Sequence, residues 1–387
     1  MIFMNKNYKS LRSVFDQLEE YLKNRYDIRF NNISLLYESS IYGEYNYNEL
    51  NLERLYIEVE RNDIRVSFDK LLIYLKATSN HYNPIKNYFH NLLPKWDGYD
   101  YIGELVSKIV MNEHQEFFNL QFRKFLVRTI LCACEKKIVN KNAIIFYSPK
   151  QNIGKSTFIR YLCPPILEEY IAENISNDKD SIIKIAKCLI INLDEMQNFM
   201  TKDIEFTKSL ISKDSINERL PYGRKSERIE RIASFLGSTN QIGILKDNSN
   251  VRWLVFETDF IDFSYSNIDI NMVWSQAYHL AYKDKNFDPF LTSDELNYND
   301  EKNNKFRAYS REEEEIISFV DHSDNENDFL TVTELSFELR KVFVNKHPVV
   351  LGKLLNNIGY KQLRIGGERT KKYKIKLSEY YYEFMKF

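Results

Sequence analysis

Apolar residues recur in two rhythms along the 387-residue chain. Spacing of three and four predicts helices over residues 102–110 and 117–135, after a turn-rich break at Pro94-Lys95-Trp96-Asp97-Gly98. From Ala143 the texture changes to continuous apolar runs of strand length, at residues 143–147, 188–193, 232–237 and 251–256. Helical stretches lie between several of them; residues 155–162 form one, stopped by Cys163-Pro164-Pro165. Strands apolar on both sides are buried on both sides, so the pattern predicts an α/β fold with a largely parallel sheet and flanking helices.

The flanks differ in texture. Residues 1 to about 95 mix helical periodicity with short alternating stretches such as Leu55-Tyr56-Ile57-Glu58-Val59, which predicts an accessory domain without catalytic residues. Helical spacing returns over 273–282, and the polar stretch 297–305 predicts a linker. Beyond it the order is helix (313–320), short strand (330–332), helix (333–342), helix (348–358) and a hairpin about Gly366-Gly367, which is the order of a winged helix. The expected division is 1–95, 96–300 and 310–387.

Composition narrows the class. With 43% hydrophobic and 28% charged residues the chain has the means to fold throughout, which excludes wholesale disorder. A formal net charge of -1 gives no overall attraction for phosphate, so any nucleic-acid contact must come from local basic patches. The four cysteines form no CxxC pair and histidines number six, so buried thiols in a reducing cytoplasm are expected and no metal site built from protein ligands alone. No apolar run reaches the roughly 20 residues that span a bilayer, and the N-terminus lacks the apolar core of a signal peptide. A soluble, cytoplasmic protein with no membrane contact is expected.

The first apolar strand runs into Pro149-Lys150-Gln151-Asn152-Ile153-Gly154-Lys155-Ser156-Thr157 and then a helix. This is a phosphate loop in its required setting: backbone N–H groups of residues 150–157 cradle phosphates, Lys155 reaches the β and γ phosphates, and Ser156 holds Mg²⁺. Pro149 stands where the standard pattern has its first glycine, and Asn152, tolerant of left-handed geometry, replaces the flexibility of another. The alternative is a chance Gly-Lys-Ser at a helix start.

The second strand delivers Asp194-Glu195 to its carboxyl end, where ligands sit in open α/β sheets. Asp194 is expected in the Mg²⁺ shell and Glu195 as the group that orients and polarises the attacking water, the alternative being a helix cap. The third strand ends in Ser238-Thr239-Asn240; if it neighbours the acidic strand, Asn240 holds the lytic water or γ-phosphate, and otherwise it is a turn asparagine. Arg252, in Asn250-Val251-Arg252-Trp253, is either an arginine delivered across a subunit boundary to neutralise transition-state charge or a structural ion-pair partner.

Between these groups, Lys213 to Lys225 form a basic segment around Pro221-Tyr222-Gly223, expected as a projecting hairpin. Lys213, Tyr222, Arg224 and Lys225 combine charge with an aromatic surface, as single-stranded DNA tracking requires, unless the turn is merely solvated. In the last domain Lys353, Arg364, Arg369, Lys371 and Lys372 predict a face for duplex DNA, the alternative being a winged helix used for protein contacts.

Taken in order, these residues resemble the virulence-associated protein E family, AAA+ ATPases of phages and genomic islands akin to superfamily 3 helicases. The resemblance runs over roughly residues 80–285. It is carried by Asn83-Pro84, Trp96-Asp97-Gly98, Gln151, Gly154-Lys155-Ser156-Thr157, Asp194-Glu195, Arg219 with Pro221-Tyr222-Gly223, Thr239-Asn240, Asp247 and Arg252; Val251 stands where many members carry an arginine. It implies a P-loop AAA+ domain that binds ATP and Mg²⁺ in a homo-oligomeric ring, a hexamer, with Asn240 as sensor and Arg252 as finger. It further implies a DNA helicase or translocase in replication of a mobile genetic element, with a separate primase or initiator as partner, since about 95 residues are too few for a primase. The runner-up is a DNA-bound ATPase switch that loads or regulates replication proteins without unwinding. A small-molecule P-loop kinase is disfavoured by Asn240 and the basic C-terminal domain.

Overall fold

The computed structural model describes residues 12–176, 178–196, 201–219, 226–245, 251–342, 344–364 and 371–386. The N-terminal part is a four-stranded sheet in the order β3-β2-β1-β4, made of β1 (Tyr26–Asn31), β2 (Leu36–Ile41), β3 (Asn48–Glu49) and β4 (Asn80–Tyr82). Its own core comes from three helices, Val14–Lys23, Leu52–Arg61 and Phe68–Thr78, through Leu18, Leu22, Leu55, Val59, Leu71 and Leu75. The alternating stretch at 55–59 is therefore helical. Asn51 caps that helix by accepting the Arg54 N–H, and Leu52, Leu55 and Val59 bury the stripe that spacing of three and four creates.

The central sheet has six strands in the order β5-β12-β6-β11-β8-β7. These are β5 (Ile109–Met111), β6 (Ala143–Tyr147), β7 (Ile171–Glu173), β8 (Ile190–Leu193), β11 (Ser234–Thr239) and β12 (Trp253–Ile261); between β8 and β11 the chain forms an antiparallel pair, β9 (Ser215–Arg219) and β10 (Ser226–Glu230). Strands β12, β6, β11, β8 and β7 run parallel, and β5 closes one edge antiparallel to β12. Alternate residues feed two cores: Ile144 and Phe146 lie in one, Ala143, Ile145 and Tyr147 in the other. That division is what a sheet covered on both faces requires.

One expected helix is shorter than its periodicity implied. Tyr101–Ser107 is helical, but Ile109–Met111 forms β5, because Ile109 and Met111 are buried while Val110 is exposed, a strand's alternation. The Gln115–Cys134 helix is buried at 14 of its 20 positions and lies at the centre of the first core. That core reaches back to Ile85, Tyr88 and Phe89, ahead of the turn at 94–98.

The polar stretch at 297–305 is no linker: Ser293–Asn303 is a helix. Its polar residues face an edge that no strand covers. The outward carbonyls of β12 before Glu257 have no strand partner, so Asn299 and Asn303 each donate through Nδ2 to Trp253 O (2.9 and 2.7 Å), and the Lys302 ammonium donates to Val255 O. Buried polar groups survive there because each meets a backbone acceptor. The chain then returns to the sheet: Gly243 and Leu245 donate to Phe306 O (3.2 Å each), and Ala308 donates to Leu245 O (2.7 Å).

Burial of Lys302, with Lys305 beside it, pulls its pKa from 10.5 down to about 7. Between about pH 7 and 10 the unfolded chain therefore binds more protons at this site than the folded one, and stability rises with pH. We expect the free energy required to unfold the wild type, measured relative to Lys302→Met, to grow as pH rises from 7 to 10. A difference that stays flat across that range rules the assignment out.

The C-terminal part has its own core of Ile316, Phe319, Leu335, Leu339, Leu351, Leu355 and Tyr373. Helices Arg311–Phe319, Val332–Lys341 and Pro348–Ile358 are followed by β14 (Gln362–Leu363) antiparallel to β15 (Lys372–Tyr373), while β13 (Val320–His322) pairs with β16 (Ile375–Leu377). The short strand expected at 330–332 is reduced to one bridge, Leu330 with Tyr373, because Val332 already begins a helix capped by Thr331. Among the described residues no helix is long and apolar enough to cross a membrane.

Candidate functional site

The carboxyl ends of β6, β8 and β11 meet around a polar pocket of about 320 Å³ lined by residues 151–157 with Asp194, Glu195, Ser238 and Asn240. It forms where β6 ends at Tyr147 and the chain turns into the Lys155–Tyr161 helix. Asn152 (φ 57°) and Gly154 (φ 92°) hold left-handed backbone in that turn. Glycine is required at 154 for a second reason: a Cβ there would lie 2.6 Å from Cζ of Phe263. Gln151, Asn152 and Thr157 are exposed and Ile153 is half-buried, leaving the loop open on its outer side. Lys150 turns away, its Nζ 2.6 Å from Asp259 Oδ1 on β12.

Two side chains leave the loop inward. Lys155 is 7% exposed, and its Nζ donates to Asn240 Oδ1 (2.5 Å) and to the Lys150 carbonyl (3.4 Å). Burial lowers its pKa, with the nearby Asp194 charge opposing that. Ser156 Oγ donates to Asp194 Oδ1, which also accepts from Ser238 Oγ (2.7 Å). Burial pushes the Asp194 carboxyl up, but the hydroxyls of Ser156 and Ser238 and the Arg160 guanidinium outweigh it, so its pKa lies below the ordinary value. Glu195 follows with left-handed backbone (φ 50°), its N–H directed at Ser238 Oγ (3.4 Å) and Asp194 Oδ1 (3.2 Å). A non-glycine residue in that region is backbone strain of the kind that gathers at functional sites.

Strand order explains the meeting. β11 pairs with β6 on one side and β8 on the other, so Asn240 stands between the loop and the acidic pair. Two participants escaped the sequence reading. Ser238, 3% exposed, was legible only through that adjacency. Arg160 is one helical turn beyond Ser156 and binds Asp194 Oδ2 (3.5 Å) and Glu173 Oε1 (2.7 Å); the spacing i to i+4 was the available signal.

Other candidate residues lie elsewhere. Arg252 precedes β12 at the opposite end of the sheet: its carbonyl accepts from Ala143 N at the start of β6, and its Nε donates to Ser212 Oγ (2.7 Å). Lys213 is exposed at the root of the β9–β10 pair, whereas Tyr222, Arg224 and Lys225, like Asp247 and Arg369, fall outside the described residues. In the C-terminal part Lys353, Arg364 and Lys371 are exposed, and Lys372 is half-buried on β15. A larger cavity, about 470 Å³, opens where the N-terminal sheet meets β10, between Phe30, Leu36, Leu50, Leu72, Leu75 and Ile229. Its walls are mainly apolar, so the convergent chemistry belongs to the smaller pocket.

The parallel sheet with loop, acid pair and amide at its carboxyl edge is the setting of a ligand-binding α/β domain. The defining pattern of the virulence-associated protein E-like domain matches residues 90–308, more than half of the chain, and the chain belongs to that family. No curated protein matches it. Among solved structures it is similar to the apo structure of the NrS-1 C terminal region, at 12% identity and a TM-score of 0.49 over 94% of this chain and 98% of that one. It is also similar to an A form of the same region, at 13% identity and a TM-score of 0.49 over the same shares.

Proposed function

We propose that the chain is a P-loop ATPase of AAA+ type that uses Mg-ATP hydrolysis to act on DNA during replication of a mobile genetic element. One observation carries this reading: Lys155, Ser156, Asp194, Glu195 and Asn240, scattered over 86 positions of sequence, converge on a single pocket at the carboxyl edge of one parallel sheet. Family membership supports it.

The donor set fits Mg²⁺. Among the described residues no group of three or more His, Cys, Asp or Glu could hold a metal ion alone. A hydroxyl and a carboxylate in contact, Ser156 and Asp194, are what Mg²⁺ uses when phosphates and water complete its shell. Ser156 and Asp194 would hold the ion, which would supply positive charge against the phosphates. Loop amides hold the phosphates, Lys155 balances the γ-phosphate, and Glu195 orients a water and accepts its proton as the bond from the γ phosphorus to ADP breaks. Asn240, now bonded to Lys155, contacts the γ-phosphate or that water.

Arg252 lies too far along the sheet to serve its own pocket, which supports delivery to a neighbouring subunit in a ring, a hexamer. In this reading the basic segment Tyr222–Lys225, between β9 and β10 in sequence, contacts single-stranded DNA, and the C-terminal part acts as a winged helix that presents Lys353, Arg364, Lys371 and Lys372 to duplex DNA. The test is strand displacement on forked DNA by the wild type, beside Arg224→Ala with Lys225→Ala. Unwinding that the double variant loses is expected. ATP hydrolysis without displacement would instead favour a DNA-bound switch that loads or regulates replication proteins.

A further inference from the structure

Strand order fixes the direction in which a nucleotide lies. Ser238 on β11, Asn240 just beyond it and Asp194 beyond β8 all stand on one side of β6, so the γ-phosphate end faces them. The nucleoside must leave on the other side, over β12. Immediately beyond β12 the chain makes a short turn, Phe263–Asn267. Phe263 is 53% exposed, and its ring tip abuts the phosphate loop closely enough to exclude a Cβ from Gly154, with Cζ 2.6 Å and Cε1 3.1 Å from that position.

The rest of the turn is braced. Asp262 accepts from Ser264 N (2.9 Å) and Ser264 Oγ (2.7 Å), and its own N–H donates to Lys108 O (2.8 Å). Tyr265 is 2% exposed, its ring 5.2 Å from Phe158 and 4.9 Å from Tyr161 on the phosphate-loop helix, and Tyr161 Oη donates to Ile268 O. The neighbours of Phe263 are thus fixed to the helix that follows the loop, while the ring itself contributes little to the core. A large apolar ring carried on a braced turn and half in water beside a phosphate loop has the properties of a stacking surface.

We propose that Phe263 is the platform on which the nucleobase stacks, and that it gives the site its preference for purine nucleotides over pyrimidine ones. The inference rests on the Mg-nucleotide reading of the pocket. Stacking follows the area of the π-face, so a purine gains more than a pyrimidine, and inorganic pyrophosphate gains nothing.

Calorimetric titration with Mg²⁺ and ADP, CDP or pyrophosphate tests it without turnover. The wild type is expected to bind ADP more tightly than CDP or pyrophosphate. Phe263→Ala should weaken ADP on the order of tenfold or more, bring ADP close to CDP, and leave pyrophosphate within about twofold, while Phe263→Trp restores the order. Phe263→Leu, which keeps apolar bulk against Gly154 without a π-face, should behave like alanine. If Phe263→Ala leaves the ADP-to-CDP ratio unchanged, or weakens pyrophosphate as much as ADP, the platform is wrong although the nucleotide site stands. A wild type that binds none of the three ligands overturns both.

Discussion

Replacing Lys155 with alanine is expected to lower ATP turnover on the order of 10²- to 10³-fold, the scale of losing one preorganised charge-stabilising donor. Lys155 is 7% exposed, and its ammonium reaches both the loop carbonyl of Lys150 and the Asn240 amide, so it sits where the loop and the end of β11 meet. In the proposed ATPase its loss removes the ammonium charge assigned to the γ-phosphate, together with the hydrogen bond to Asn240 Oδ1. Glu195→Gln should separate binding from chemistry. It keeps the shape of the side chain but cannot take a proton, so nucleotide affinity persists while turnover falls by a comparable factor. Steady-state hydrolysis beside equilibrium binding for both variants is the measurement. Wild-type turnover in Lys155→Ala would remove the phosphate role from this loop, and normal turnover in Glu195→Gln would move the general base elsewhere.

The largest effect on stability is expected at Arg231, 1% exposed. Its guanidinium meets five main-chain carbonyls: Ala233 (2.9 Å), Asn140 (2.6 Å), Leu210 (3.3 Å), Lys213 (3.4 Å) and Ile211. Leu210 and Ile211 belong to the last turn of the Thr201–Ser212 helix, where intrahelical donors run out; Leu210 O also accepts from Lys213 N (3.1 Å). Arg231→Ala takes the guanidinium away from these buried carbonyls, at roughly 1–3 kcal/mol for each one left without a donor, offset in part because a guanidinium no longer has to be buried. A net loss of about 3–5 kcal/mol follows, which for a body of this size lowers the melting temperature by about 10 °C. Arg231→Lys should rescue little, since one ammonium cannot span carbonyls on opposite sides. Thermal melts decide it: a shift below about 2 °C means the carbonyls find other partners.

Much of the site was legible because β6 is apolar throughout and β8 is apolar but for Asn192. Runs ending at Tyr147 and Leu193 can only be buried strands, and a buried parallel strand puts whatever follows it, here the loop and Asp194-Glu195, at the sheet's carboxyl edge. What escaped was chemistry that depends on which strand lies beside which. Ser238 touches Asp194 only because β11 sits between β6 and β8. Asn299, Lys302 and Asn303 look like linker residues until an edge of β12 with free carbonyls is set against them. Leu55–Val59 was misread for a different reason: five residues fit a period of two, and only the flanking Asn51 cap and Leu52 reveal the period of 3.6.

The order of strands also governs how the molecule is made. Ile144 lies between Leu236 and Leu254, both encoded far downstream, so this apolar strand leaves the ribosome long before either neighbour exists. The Gln115–Cys134 helix is already made and packs on one face, Phe118 against Phe146 with ring centroids 6.0 Å apart, but the edges of the strand stay unpaired, because a parallel strand cannot pair through a tight turn. Synthesis must pass Ile261 before the central layer can close, and until then residues 143–147 are an invitation to chaperones and to aggregation alike.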